Sequence, residues 1–191
     1  PTFASIRGEE LILALRDLVH KKNKPVGNSP YPASGLQAYL AVEKGSRYLC
    51  SGMAHLFCAL SDAFGIPCRL VSLFSAPPSE NYHSHQAAEV FLEDRWVFMD
   101  PTFNVAWRDG KGRYLGAMGL GRNFREGGAG AQAVTDGKKV LQRHEAYEPP
   151  YASHFAFIEI FTYDCHAFLR FSPVYIEAYP RSWHKLPGQT P

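Results

Sequence analysis

Between Glu9 and Val19 the apolar positions repeat at helical spacing, with Leu11, Ala14, Leu15 and Leu18 at i, i+3, i+4 and i+7. Glu9 and Glu10 precede this stripe and Lys21 and Lys22 follow it, charges that suit the two ends of a helix dipole. A second helix is predicted from about Cys50 to Phe64, where Met53, Leu56, Phe57, Leu60, Ala63 and Phe64 form one apolar face. Gly65 supplies a left-handed residue to end it, and Pro67 blocks continuation. Between these helices, the prolines, glycines, Asn and Ser of residues 25–35 predict an irregular connection.

Beyond Pro67 the pattern becomes that of strands. Residues 68–74 make one, and residues 86–92 and 96–99 make two more around a turn at Glu93-Asp94-Arg95, so a hairpin is expected. Pro101 lacks a backbone donor and closes the last of them. Residues 108–137 are rich in glycine, centred on Gly127-Gly128-Ala129-Gly130, and predict a flexible loop. Gly116-Ala117-Met118-Gly119-Leu120-Gly121 follows no strand and lacks a Lys-Ser/Thr pair, so it does not read as a phosphate cradle. Aromatic and β-branched residues return in a strand-rich part at 151–179, at 155–161 and 168–171, on either side of Asp164-Cys165-His166. Helices followed by a run of strands predict one α+β domain over residues 1–191, with an antiparallel sheet.

Composition excludes several classes. The chain has 191 residues, 46% of them apolar, 20% charged, with a net charge of +2. Those are values of an ordinary soluble globular protein with room for a core. The basic residues are scattered, which argues against nucleic acid as a partner. The densest run, His20-Lys21-Lys22-Asn23-Lys24, falls at a helix end and reads as a solvated terminus. No apolar stretch approaches the roughly 20 residues of a membrane span, and the start carries no signal-peptide pattern. The chain opens on Pro1, so a cytoplasmic protein, or a processed fragment of a secreted or periplasmic one, are both expected readings. Cys50, Cys58, Cys68 and Cys165 include no CxxC pair, and three of them share one helix-turn-strand segment; free thiols are expected.

Cys50 stands where the second helix should begin. Unpaired backbone N–H groups and the helix dipole favour an anion there, which lowers a thiol's pKa and could hold an oxyanion. Taken singly, a cysteine is more often a buried structural residue, and Cys58 and Cys68 fit that description. A nucleophile needs a base and an orienting group. His85 opens one hairpin strand and Asp100 ends the other, so pairing of the two strands brings them together as imidazole and carboxylate of a triad. His83, on the same strand face, competes as the base. A zinc site from Cys50, His55, Cys58 and His85 is disfavoured by its spacing, and no metal or cofactor is called for. Tyr48 and Gln37 both stand as oxyanion donors that position alone does not separate. Glu89 reads as an ion-pair partner and Trp96 as a core aromatic. His144, His154, His166 and His184 have packing as their default role.

Three blocks of the sequence resemble the transglutaminase-like superfamily, a papain-like cysteine acyltransferase and peptidase core. The first runs from Gly45 through Cys50-Ser51-Gly52-Met53-Ala54 to Gly65-Ile66-Pro67-Cys68-Arg69. The second is His85-Gln86-Ala87-Ala88-Glu89-Val90, and the third Trp96-Val97-Phe98-Met99-Asp100-Pro101-Thr102. Together they cover residues 45–104. Ala87 stands where the family usually has an aromatic residue, and Cys68 where it has alanine. The spacing before Glu89 favours His85 over His83. The resemblance implies Cys50, His85 and Asp100 as catalytic residues, and a nucleophile at a helix N-terminus packed on an antiparallel β-sheet. It also implies acyl transfer through a thioester, acting on a protein or peptide substrate with an amide or glutamine group. A small bacterial-type peptidase, amidase or deamidase is the first expectation, since water is the default acceptor. A cross-linking transglutaminase using an amine is the alternative; an arylamine acetyltransferase would require acyl-CoA. Outside enzymes, a binding module using the aromatics of 147–183 is the competing reading.

Overall fold

The computed structural model describes residues 5–32, 34–75, 84–126, 130–135, 139–141, 155, 157–162 and 173–178. The helices are α1 (Gly8–Lys22), α2 (Gly35–Glu43), α3 (Cys50–Ala63) and α4 (Ala117–Arg125). The strands are β1 (Cys68–Phe74), β2 (Ser84–Leu92), β3 (Arg95–Asp100), β4 (Val105–Arg108), β5 (Gln132–Thr135), β6 (Lys139–Leu141), β7 (Phe157–Thr162) and β8 (Pro173–Ala178). They form one antiparallel sheet in the order β6-β5-β4-β3-β2-β1-β7-β8. The architecture is the predicted α+β.

Alternating side chains of the central strands face opposite sides. Leu70, Ala88, Val90, Val97 and Met99 join a core with Leu11, Leu15, Met53, Leu56 and Phe57 of α1 and α3. Val71, Leu73, Ala87, Phe98 and Trp107 join a second one with Ala117, Leu120 and Phe124 of α4. The sheet is therefore buried on both faces at its centre, with α3, the helix that opens on Cys50, on one of them.

Local chemistry explains the joints. Phe64 caps α3, and Gly65 takes the left-handed φ of 72° that turns the chain into β1. Between β2 and β3 only Glu93 and Asp94 form the turn, with φ of 49° and 61°. Positive φ at both residues matches the right-handed strand twist. Arg95, expected in the turn, already pairs with Leu92.

Three expectations are corrected. Cys58 and Cys68 are not free: they form a disulfide between α3 and β1, their Cα atoms 5.4 Å apart. The tight Gly65 turn folds β1 back along the end of α3 and brings the two sulfurs together. The glycine-rich 108–137 segment is not one loop, because it contains α4 and β5. Ala117, Leu120 and Phe124 anchor that helix to the sheet, an apolar i, i+3, i+7 set that outweighs its internal glycines. Helix α2 lies beyond the irregular connection and was not expected. Ser34 caps it by accepting from the Gln37 N–H at 3.3 Å, while Leu36 and Leu40 stay exposed, which blurs its periodicity. The 168–171 strand and Cys165 lie outside the described residues. Among the described residues no helix is long and apolar enough to cross a membrane.

Candidate active site

Cys50 is the first residue of α3. Its N-cap, Leu49, is extended and has no side-chain acceptor for the helix's first N–H groups. The approach to the helix is fixed from α1: the Asn23 side chain donates to the Tyr48 carbonyl at 2.8 Å and accepts from the Tyr48 N–H at 2.7 Å. Cys50 is partly exposed and is a free thiol.

His85 is the second residue of β2 and Asp100 the last of β3. Ala88 lies opposite Met99, so continuing the register puts Asp100 opposite Ala87 and diagonal to His85 on the same side of the sheet. The side chains meet there, with His85 Nε2 donating to Asp100 Oδ2 at 2.7 Å. Asp100 Oδ1 accepts from the N–H groups of Thr102 at 2.9 Å and Phe103 at 3.2 Å, a local turn that fixes the carboxylate. That turn is anchored to α1: His20 Nδ1 lies 3.0 Å from the Pro101 carbonyl, and the buried Arg16 donates to Asn104 at 2.9 Å. Asn104 has a φ of 54°, a conformation asparagine tolerates, and donates in turn to Asp17 at 3.1 Å. The Phe103 ring lies against His85, 5.3 Å between centroids.

Cys50 is coupled electrostatically to this pair: the His85 ring and the Gln86 backbone N–H both favour its thiolate. Burial alone would raise the thiol's pKa; the bond to His85, its positive charge and the Gln86 N–H outweigh this and hold it below the ordinary cysteine value, against a small opposing effect of Asp100. For His85, burial works against the charged ring. The Asp100 carboxylate, by charge and hydrogen bond, then Cys50, overcome this and raise it to about 10. The two shifts run in the same sense, each favouring a proton on His85 over one on Cys50. Since Nε2 faces Asp100, the other ring nitrogen is the one available to Cys50.

Other residues singled out by sequence fall into structural places. Glu89 is buried, paired with Arg69 at 2.6 Å, and accepts from the Ala117 N–H at 2.6 Å. Trp96 is half-buried with the Arg69 guanidinium 4.0 Å over its ring. Tyr48 is fully buried and stacks on Tyr31, whereas Gln37 is exposed on the first turn of α2. His55 is buried within α3, and loss of hydration lowers it to about 4. Cys58 is taken up in its disulfide, and among the described residues no three His, Cys, Asp or Glu side chains group as metal ligands. His83, His144, His154, His166 and His184 lie outside the described residues. Sequence reading missed Arg16, Asn23, Tyr31 and Asn104. Only Asn104 carried a local signal, as an asparagine closing the turn after Asp100-Pro101.

No curated protein matches the sequence. A solved structure of a protein from Cytophaga hutchinsonii, named a putative cysteine protease, is similar at 22% identity and a TM-score of 0.40, over 52% of this chain. The match spans about a third of that protein's length, 34%. The model of the transglutaminase-like superfamily matches residues 8–101. That match takes in the helices α1 to α3, with Cys50, and the strands that carry His85 and Asp100, and it agrees with the α+β arrangement: residues 8–101 are similar to the core of the transglutaminase-like superfamily.

Proposed function

We propose that this protein is a cysteine-dependent acyl-transfer enzyme that hydrolyses amide bonds through a thioester, with Cys50 as nucleophile, His85 as acid and base, and Asp100 as the group that orients His85. The observation that carries this reading is the His85 Nε2–Asp100 Oδ2 hydrogen bond at 2.7 Å, supported by Cys50 opening α3 with a thiol that His85 holds below its ordinary value against the cost of burial.

In the first half-reaction the Cys50 thiolate attacks the amide carbon. The negative charge that develops on its oxygen is met by the N–H groups at the start of α3. His85 gives its proton to the departing amine or ammonia as the C–N bond breaks, leaving a thioester and a neutral imidazole. In the second, His85 takes a proton from water, whose oxygen attacks the thioester; the carboxylic acid leaves and the thiolate–imidazolium pair is restored. Asp100, fixed by the Thr102 and Phe103 N–H groups, holds His85 in the tautomer this sequence needs.

The reading is tested by incubating the protein with glutamine-containing peptides, with and without a primary amine, and following both by mass spectrometry. Backbone cleavage or deamidation that vanishes in Cys50→Ala supports hydrolysis. Incorporation of the amine at the expense of hydrolysis would replace water by amine as acceptor. A wild-type thiol that neither forms an acyl adduct nor reacts faster than a free cysteine near neutral pH would sink the proposal.

A further inference from the structure

The irregular connection between α1 and α2 has no place in the chemistry above, yet it ends on the nucleophile's helix. Ser29 donates its backbone N–H to the Arg47 carbonyl at 2.8 Å and accepts the Arg47 N–H on its hydroxyl at 2.9 Å. The connection thus runs beside the segment leading to Cys50, and two residues on it delivers Tyr31 to the first turn of α3. There the Tyr31 hydroxyl is hydrogen-bonded to the Ser51 hydroxyl. Its ring stacks on Tyr48, 5.7 Å between centroids and 20° between planes. Gly52 makes room for both rings: a Cβ at that position would lie 2.5 Å from Tyr48 Cβ and 2.6 Å from Tyr31 Cε1.

We infer that Tyr31 is a positioning residue, which holds Cys50 against His85 by fixing the first turn of α3 through its hydrogen bond to Ser51. This rests on the proposed role of Cys50. Ser51 is the next residue along the helix, so a rotation of its turn moves the sulfur and the Cys50 N–H together. The lowered thiol pKa depends on the bond to His85 and the Gln86 N–H, both short-range and directional. Asn23 secures the chain before Cys50, through Tyr48, and Tyr31 secures it after, through Ser51. The nucleophile is thereby held on both sides. The Tyr31 ring supplies packing, while its hydroxyl supplies the tie, and the two separate cleanly in Tyr31→Phe.

The experiment measures alkylation of Cys50 by iodoacetamide against pH, by mass spectrometry, in the full chain and in Tyr31→Phe, Ser51→Ala, Ser51→Thr and the double variant Tyr31→Phe/Ser51→Ala, alongside thermal unfolding. Tyr31→Phe and Ser51→Ala should each slow alkylation near pH 6 by about tenfold, the size of one lost hydrogen bond, and move the acidic limb of the profile upward. The double variant should be no slower than either single one, Ser51→Thr should recover most of the rate, and unfolding midpoints should stay close to wild type. A wild-type profile in Tyr31→Phe, independent effects that multiply in the double variant, or slowing that only tracks lost stability would overturn the inference. If wild-type Cys50 itself reacts no faster than free cysteine, the acyl-transfer reading fails first and this one with it.

Discussion

Of the helices that begin without a side-chain cap of their own, the fold treats α3, after Leu49, and α4, after Gly116, differently. At α4 a carboxylate is built in. Glu89 reaches from β2, accepts the Ala117 N–H at 2.6 Å, and is balanced on its other oxygen by Arg69. It is 1% exposed, so nothing from solution competes with it. At α3 the group at the helix start is the Cys50 thiol, partly open to solvent and, despite the cost of burial, held below its ordinary value by His85. The same helix-end electrostatics meets a buried carboxylate in one place and, on the proposed function, a reacting thiol in the other. Nothing in the composition of the two starts announces this. What separates them is which residue of β2 faces each: Glu89 or His85.

The largest effects should come from removing the Cys50 thiol at α3 or its support. Cys50→Ala is expected to abolish turnover with little change in unfolding midpoint. Asp100→Asn should lower kcat by on the order of 10²–10⁴, because the amide no longer fixes the tautomer or supports the imidazolium. Its alkylation profile should also lose the low-pH reactivity that the thiolate–imidazolium pair provides. At α4 the pattern should invert. Glu89→Ala strands Arg69 and the Ala117 N–H, and should cost about 2–3 kcal/mol in urea unfolding while activity per folded molecule survives. Loss of activity beyond the loss of folded protein would mean the two helix starts are not separable in this way.

Gly52→Ala probes the α3 start from inside. The added methyl has no space between the two tyrosines, and such overpacking should destabilise by about 1–3 kcal/mol. Unlike the Glu89 change, it should also slow alkylation of Cys50, since the turn that carries the sulfur must shift. Equal alkylation rates for refolded Gly52→Ala and wild type would break the link between packing and nucleophile placement.

Much of this site is readable from the sequence because its signals are local. The apolar stripe and the Gly65-Ile66-Pro67 exit define α3 and place Cys50 at its start. A two-residue hairpin leaves little freedom in register, so His85 and Asp100 follow from the strand ends. The rest depends on partners far along the chain. Asn23 pairs with Tyr48, Tyr31 with Ser51 and Arg16 with Asn104, and none of these pairs shares a periodic pattern. Helix α4 was hidden by its glycines, and its cap comes from a residue on another element. The Cys58–Cys68 disulfide was obscured because cysteines close in sequence, across a helix end, were read as packing residues.

The two histidines buried among the described residues give the smallest effect and the finest test of the α3 start. His55, inside α3, is lowered to about 4 by burial, so it stays neutral and adds no charge near Cys50. The unfolded chain, with an ordinary value near 6.5, takes up that proton first as pH falls. Stability tied to His55 is therefore present above about pH 6.5 and lost as pH falls toward 4. His85 has the opposite sign: raised to about 10, it contributes fully below about 6.5 and loses its contribution as pH rises toward 10. Urea unfolding across pH should show His55 pulling stability down below about pH 6.5, by somewhat under about 1 kcal/mol for the first unit, while above it the lowered Cys50 thiol offsets the loss from His85 until the ordinary thiol value of 9.0 is passed. His55→Leu should flatten the acid limb and leave the rest of the profile unchanged. If His55→Leu instead changed the alkylation profile of Cys50, then His55 would share in the charge at the α3 start, and His85 could no longer be its sole imidazolium.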